Sequence, residues 1–353
     1  MTELIKPVML PGLDLRDSVG QAANQAAAAG AFFDYRMTLA LNTLRRHRAA
    51  LELFAEYLGE KGLRPNHLHD DPAAWRGITW GLVDGFYKWL LLQGYSVGSA
   101  NVNLSTIKTY ARLAIKAGVV DPAESQLIET VRARSRRRDR QRIDEQRRNE
   151  DIPTRIGAKK AEPLLLTTAQ TAAIKNQPDT PQGRRDHLLM CLLLEHGLRV
   201  GEVAGLRITD IDLQTATLSV FRPKVDKRQI HRLSPETLAA AQRYLSLDYS
   251  AIRSPSPALL AGSTKSGALK GSLSIRAIFS RVRLLGLQIG VAELSPHDCR
   301  HTWATMASRA HTPLENLMEA GGWSSYAMPL RYIQSNAIAN DGVHLDNGEN
   351  HKR

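Results

Sequence analysis

The sequence predicts a mainly α-helical protein of two bodies: an N-terminal all-α bundle and a larger helical domain with a small antiparallel β-sheet. Three observations predict it. The chain has 353 residues, too many for one ordinary domain and suited to two. From about residue 36 to 130, apolar residues recur at helical spacing and no convincing alternating strand interrupts them. Only around 217–234 does the period change to that of strands.

Residues 1–35 read as a flexible arm or short docking helix. Pro7, Pro11 and Gly12 break structure, and AANQAAAAGA at 22–31 is Ala-rich without an apolar stripe. In the bundle, 36–130, a first helix is marked by Leu39, Leu41, Leu44, Leu51, Leu53, Phe54 and Leu58 and closed by Gly59 and Gly62. A second, near 80–93, ends at Gly94. Ser96 or Ser99 caps a third, with Val102, Leu104, Ile107, Tyr110, Leu113 and Ile115 as its apolar stripe. Gly118 stops it, and Asp121 with Pro122 starts a fourth. Trp75, Trp80 and Trp89 are assigned to the core of this bundle.

A basic linker, 131–163, follows. Its first part, VRARSRRRDRQRIDEQRRNE at 131–150, holds nine Arg and four acids with almost no apolar residues. It is either a solvated helical face or a connector lying along phosphates, with Arg136, Arg137 and Arg138 as DNA contacts.

The second domain, 164–334, opens with a helix capped by Thr167 or Thr168, then a more apolar one over 186–195 that ends before Gly197. TLSVFRP (217–223) and QIHRLS (229–234) are strands flanking a KVDKR hairpin. Helices return at about 236–247, 273–285, 299–310 and 313–320. The tail, 335–353, is polar, with Ile338, Val343 and Leu345 as sparse apolar residues.

A hydrophobic share of 43% supports real cores and excludes a wholly disordered chain. No apolar run reaches the ~18 residues of a membrane span, and no secretory signal opens the chain. Cys191 and Cys299 belong to no paired-cysteine motif, which argues against a disulfide scaffold and a Cys-based zinc site and suits a reducing cytosol. The net charge is +12, with a pI near 9.8. Cut at 165, each half carries about +6, so both bodies are cationic. Two basic bodies suit a polyanion, and nucleic acid is the commonest one.

Three separated segments carry candidate chemistry. GLRVGEVAGL (197–206) places Arg199 just past an apolar helix and Glu202 three residues on, a spacing that alone signals only a helix ion pair. The hairpin carries Lys224, Lys227 and Arg228. SPHDCRHTWATMASRAHTPLENLMEAGGWSSYAMPLRYIQ (295–334) holds a helix start at Ser295-Pro296, then His297 and Arg300 on one helical face. Gly321-Gly322-Trp323 marks a turn, and Tyr332 lies nine residues past the Trp.

That order and spacing resembles the tyrosine recombinases, or phage integrase family, over about 37–334, with the second domain most similar to those of Cre and the Xer recombinases. The resemblance implies an active-site set of Arg199, Lys224, His297, Arg300, Trp323 and Tyr332, with Glu202 as acidic support. It implies a core DNA-binding bundle and a catalytic domain that close on DNA as a C-shaped clamp. It further implies a homotetramer on paired half-sites, working through a 3′-phosphotyrosyl intermediate and a Holliday junction. Lys227 and Arg228 would add DNA contacts from the hairpin. Two departures stand out: Trp323 where many members have His, and Cys299 where Leu is usual. Indole is only a donor, so Trp323 would hold a phosphate oxygen and pack the site; a buried Cys acts as a small apolar residue. An arm of ~35 residues is short for a separate arm-site domain.

The chemistry fits those residue types. A tyrosine phenolate can attack a phosphodiester and leave again, because its pKa near 10 makes it a better leaving group than a sugar hydroxyl. Two guanidiniums, Arg199 and Arg300, can hold the non-bridging oxygens as charge builds. Lys224 would protonate the leaving 5′ oxygen, and His297 would take or position the Tyr332 proton. With no carboxylate cluster for Mg²⁺ and no Gly-rich phosphate loop, neither metal nor nucleotide cofactor is expected. Tyr326 is the weaker candidate nucleophile, His301 is read as structural, and His196 has no role. The alternatives are a type IB topoisomerase, which shares this chemistry, and a DNA-binding regulator that has lost it.

Overall fold

The computed structural model describes residues 15–134, 136–156, 163–223, 226–248, 258–264 and 266–336. The chain divides into two compact units, Met1–Lys159 and Lys160–Arg353. No described helix is long and apolar enough to cross a membrane.

The first unit runs through α1 (Leu15–Met37), α2 (Leu41–Glu60), α3 (Trp80–Leu92), α4 (Val97–Lys116), α5 (Pro122–Thr130) and α6 (Arg137–Asn149). Local signals set the boundaries. Ser96 accepts the Ser99 amide to cap α4, and Asp121 accepts the Ala123 amide ahead of Pro122 to cap α5. The stripes of α2, α3 and α4 meet around Phe54, Trp75, Phe86 and Tyr110, with Leu58, Leu90, Leu104 and Ile107 filling between them. Trp75 sits within this core and still donates to the Leu68 carbonyl at 2.9 Å. Trp89 donates to Glu60 at 3.0 Å. Trp80 departs from its assignment: as the first residue of α3 it is 45% exposed.

Two segments whose readings were left open are helical. α1 is a 23-residue helix whose C-terminal part packs on the bundle, Phe32 meeting Tyr110 edge-on at 5.6 Å. Alanine, the best helix former, supplies the helix without a stripe to announce it. The basic segment is also helical, and Arg147 is buried, donating to Asp144 at 3.3 Å and to the Pro153 carbonyl. The chain then returns against the α3–α4 turn, where Gly94 (φ +85°) leaves no room for a Cβ beside Ile156 and Pro153. Arg136, Arg137 and Arg138 are exposed.

The second unit contains α7 (Thr168–Lys175), α8 (Pro181–Leu194), α9 (Val200–Gly205), α10 (Pro235–Asp248), α11 (Ile275–Gln288), α12 (Pro296–Arg309), α13 (Leu314–Gly321) and α14 (Ala327–Asn336). Its core is built on α8, buried from Leu188 through Leu194 and packed against α7, α10 and α12. Thr167 closes a capping box with Gln170 at α7, and Ser295 one with Asp298 at α12. Strands β1 (Ile211–Asp212), β2 (Thr217–Arg222) and β3 (Lys227–Arg232) form an antiparallel sheet in that order, pairing Leu218 with His231 and Val220 with Gln229. A second hairpin, β4 (Ala261–Ser263) with β5 (Leu269–Ser272), was not anticipated. Its strands are short, glycine-bearing and free of β-branched residues, so they carry no strand signal. Helix α14 was also unforeseen; Pro329 falls in its first turn, where proline is tolerated. Cys191 and Cys299 are both buried thiols.

Candidate active site

The site lies within the second unit, where α9, β2, α12, α13 and α14 converge. Gly197 ends the run after α8 with φ +58°, and a Cβ there would fall 2.2 Å from the Trp303 ring. Arg199 then stands at the start of α9. Glu202 reaches back to accept the Arg199 amide and its Nη1, each at 2.8 Å. The pair read as an ordinary ion pair is therefore a fixed unit: Glu202 is buried, while Arg199 keeps 32% of its side chain exposed.

Helix α12 brings Arg300. Asp298, locked to Ser295 and accepting the Leu164 amide at 2.9 Å, anchors its first turn. Cys299 is fully buried, as a small apolar residue should be, and Arg300 is only 3% exposed. Its guanidinium donates to the Gly197 and Gly321 carbonyls and lies over the Trp323 ring, 4.6 Å from the centroid. Burial, with Arg199 adding to it, pulls Arg300 below the ordinary arginine range.

The Gly321-Gly322 pair forms the end of α13. Gly322 adopts the left-handed conformation (φ +57°), and the Gly322 and Trp323 amides return to the Glu319 and Met318 carbonyls. This turn leaves the carbonyls of 320, 321 and 322 facing the site. Arg222 takes Ala320 and Gly321, Arg300 takes Gly321, and Arg199 takes Gly322 at 3.1 Å. The negative end of a helix thus faces three guanidiniums.

Helix α14, packed on α12, delivers Tyr332, which is 4% exposed. Its ring meets His301 at 4.9 Å and Trp323 at 5.7 Å, and its hydroxyl is close enough to Arg300 to interact electrostatically. Tyr326 is 44% exposed at the head of α14.

Of the residues the sequence singled out, the structure gathers Arg199, Glu202, Arg300, Trp323 and Tyr332. His297 stands exposed in the first turn of α12. Lys224 lies outside the described residues. Lys227 and Arg228 are exposed on β3, pairing with Glu319 at 3.8 Å and Asp210 at 3.0 Å. The sequence passed over Arg222 and His231, and read His301 as structural. The signal for Arg222 was alternation: it shares the inward face of β2 with Leu218 and Val220. Elsewhere in this unit His187, Cys191 and Glu236 lie close enough to hold a metal ion, although Glu236 is already engaged by Lys175.

Comparison with known proteins agrees with this picture. The profile of the phage integrase family matches residues 165–338. A putative integrase/recombinase, y4gC, from Sinorhizobium fredii is 32% identical over 178 residues, 49% of this chain and 89% of that protein. Tyrosine recombinase XerD from Proteus mirabilis is 26% identical over 275 residues, 76% of this chain and 74% of that one. Among solved structures, the Tn1549 transposon integrase in complex with a circular intermediate DNA superposes with a TM-score of 0.59 at 15% identity, covering 86% of this chain and 94% of that one. A lambda integrase dimer bound to a core site gives 0.57 at 13% identity, over 95% and 84%. At such identities the structures speak for the fold, while the sequence relatives speak for descent: the chain belongs to the phage integrase family, the tyrosine recombinases.

Proposed function

We propose that this protein is a site-specific DNA recombinase that cuts and rejoins strands through Tyr332. The observation that carries the reading is the charge balance around that tyrosine. Arg300, the arginine that interacts with Tyr332, donates to main-chain carbonyls, and beside it Arg199 and Arg222 share one carboxylate, Glu202. Arg300 is buried with carbonyls and indole rings as its direct contacts among the described residues, an arrangement that costs of order several kcal/mol and that a phosphodiester would relieve.

In the proposed reaction the Tyr332 oxygen attacks the scissile phosphorus, forming a 3′-phosphotyrosyl bond as the bond to the 5′ oxygen breaks. Arg199 and Arg300 hold the non-bridging oxygens in a dry site, where fixed donors are strongest. Trp323 contributes an indole N–H and a ring face. His297 takes the tyrosine proton, Lys224 supplies one to the leaving 5′ hydroxyl, and His301 braces the Tyr332 ring. The energy of the broken bond stays in the phosphotyrosine, so a 5′ hydroxyl from a second strand can reverse the step. Both basic units would bind DNA, with Arg136, Arg137, Arg138, Lys227 and Arg228 on phosphates. Four strands must be cut, so the working unit is a homotetramer on two paired sites, passing through a Holliday junction, and the tail after α14 is the proposed link between neighbours.

The test is a nicked suicide substrate from the element that carries the gene. Tyr332→Phe should bind it normally and form no covalent adduct. An adduct that persists in that variant, or that maps to Tyr326, overturns the assignment. Deleting 337–353 should spare binding to one half-site and weaken cooperative filling of the second.

A further inference from the structure

Arg222 takes no part in the reaction just described, yet it is the most heavily bonded side chain of the site. It is 1% exposed on the inward face of β2. Its Nη1 donates to both oxygens of Glu202 and to the Gly321 carbonyl, each at 3.2 Å. Its Nη2 donates to the Ala320 carbonyl at 2.6 Å and to His231 Nε2 at 3.1 Å. Burial, reinforced by Arg222 itself, pushes the His231 imidazole down to about 4, so at neutral pH that ring is uncharged and can accept. Gly322 packs flat on the guanidinium: a Cβ there would fall 2.6 Å from Arg222 Nε and Cζ.

The partners of Arg222 are the supports of the two arginines assigned to the phosphate. Glu202 holds the amide and Nη1 of Arg199. Gly321 offers one carbonyl to Arg222 and Arg300 together. We infer that Arg222 is a positioning residue: it fixes Glu202, and through it Arg199, while fixing the α13 carbonyl edge on which Arg300 rests. The inference rests on the reading of Arg199 and Arg300 as the phosphate-holding pair. Only a planar fork reaches a carboxylate, two carbonyls and an imidazole at once; a lysine ammonium would keep the charge and lose that geometry.

The test compares a nicked half-site carrying the natural scissile phosphate with one carrying a methylphosphonate, in which a neutral methyl replaces a non-bridging oxygen. Arginines placed to hold phosphate charge matter less on the neutral substrate. Full-length wild type, Arg199→Ala, Arg222→Met and Arg222→Lys are followed in single-turnover adduct formation, with binding to the half-site measured in parallel. On the natural phosphate, Arg222→Met should cleave roughly a hundredfold more slowly at unchanged half-site affinity. Arg222→Lys should fall between it and wild type, and serves alone if the Met variant does not fold. On the methylphosphonate the deficits of Arg199→Ala and both Arg222 variants should largely close. A wild-type rate for the Arg222 variants on the natural phosphate overturns the proposal. So does an equal deficit on both substrates, which would mark Arg222 as a fold-stabilising ion pair. If Arg199→Ala cleaves the natural phosphate like wild type, the reading of the site has failed, and this proposal with it.

Discussion

The two units hide different things. In the first, the described core is aromatic, and its buried polar residues are three: His47, Thr106 and Arg147. The second buries Arg185, Asp186, Glu202, Arg222, Asp298 and Arg300 as well. Within it, the arginines fall into two kinds. Arg185 shares the fully buried Asp186 with Arg281, at 2.7 and 2.5 Å, so each of those cations is matched to its own oxygen of one carboxylate. Among the described residues Arg300 makes direct contact with two carbonyls and two indole faces and with no carboxylate. A matched buried arginine holds a fold together, whereas one left on dipoles is kept for a visitor.

The sharpest way to break that distinction is to remove one arginine of each kind. Arg300→Ala should cut adduct formation by roughly 10²–10³-fold while leaving the urea midpoint close to wild type, because no carboxylate is stranded. Arg185→Met should do the reverse, costing about 3–5 kcal/mol in urea unfolding while the folded fraction still cleaves. Selective loss of cleavage in Arg185→Met would erase the contrast. A smaller effect is read through pH. Burial pushes His196 from 6.5 down to about 4, so it is neutral when folded. A depressed histidine gives its full stabilisation above the unfolded pKa near 6.5 and loses it as pH falls from there toward 4. The loss is of order 3 kcal/mol, and His196→Gln should flatten the dependence between those values. An unchanged acid transition in that variant would clear His196. Smallest is the α6 surface. Changing Arg136, Arg137 and Arg138 to Gln should weaken specific and random DNA binding alike and lower the salt slope by up to about 0.9 per lost phosphate contact. An unchanged slope would make the segment a solvated helix face.

What could be read in advance follows the range of the interactions. Arg199 with Glu202, the Ser295-Pro296 start that sets Arg300, and the Gly-Gly turn before Trp323 are built from neighbours a few residues apart, so spacing reveals them. Arg222 is defined by Glu202 and Ala320, which lie 20 and 98 residues away, and no local pattern names such partners. His301 follows Arg300 directly in sequence, and only the docking of α14 on α12 brings its ring to Tyr332. The helices of the bundle were legible from their stripes and caps. α1 was not, because an alanine-rich segment is helical by propensity and silent in pattern.

The carbonyls of residues 320–322 have a genetic consequence. They belong to the main chain, so no codon change deletes them, and the site's negative pole survives any side-chain drift along α13 that leaves the helix intact. Its weakness is register. One residue inserted or lost within α13 would turn its last turn by about 100°. That would carry the acceptors of Arg199, Arg222 and Arg300 away together, so this eight-residue helix should tolerate substitution on its exposed face, keep Gly321, where a Cβ would meet the Trp323 ring, and refuse changes in length.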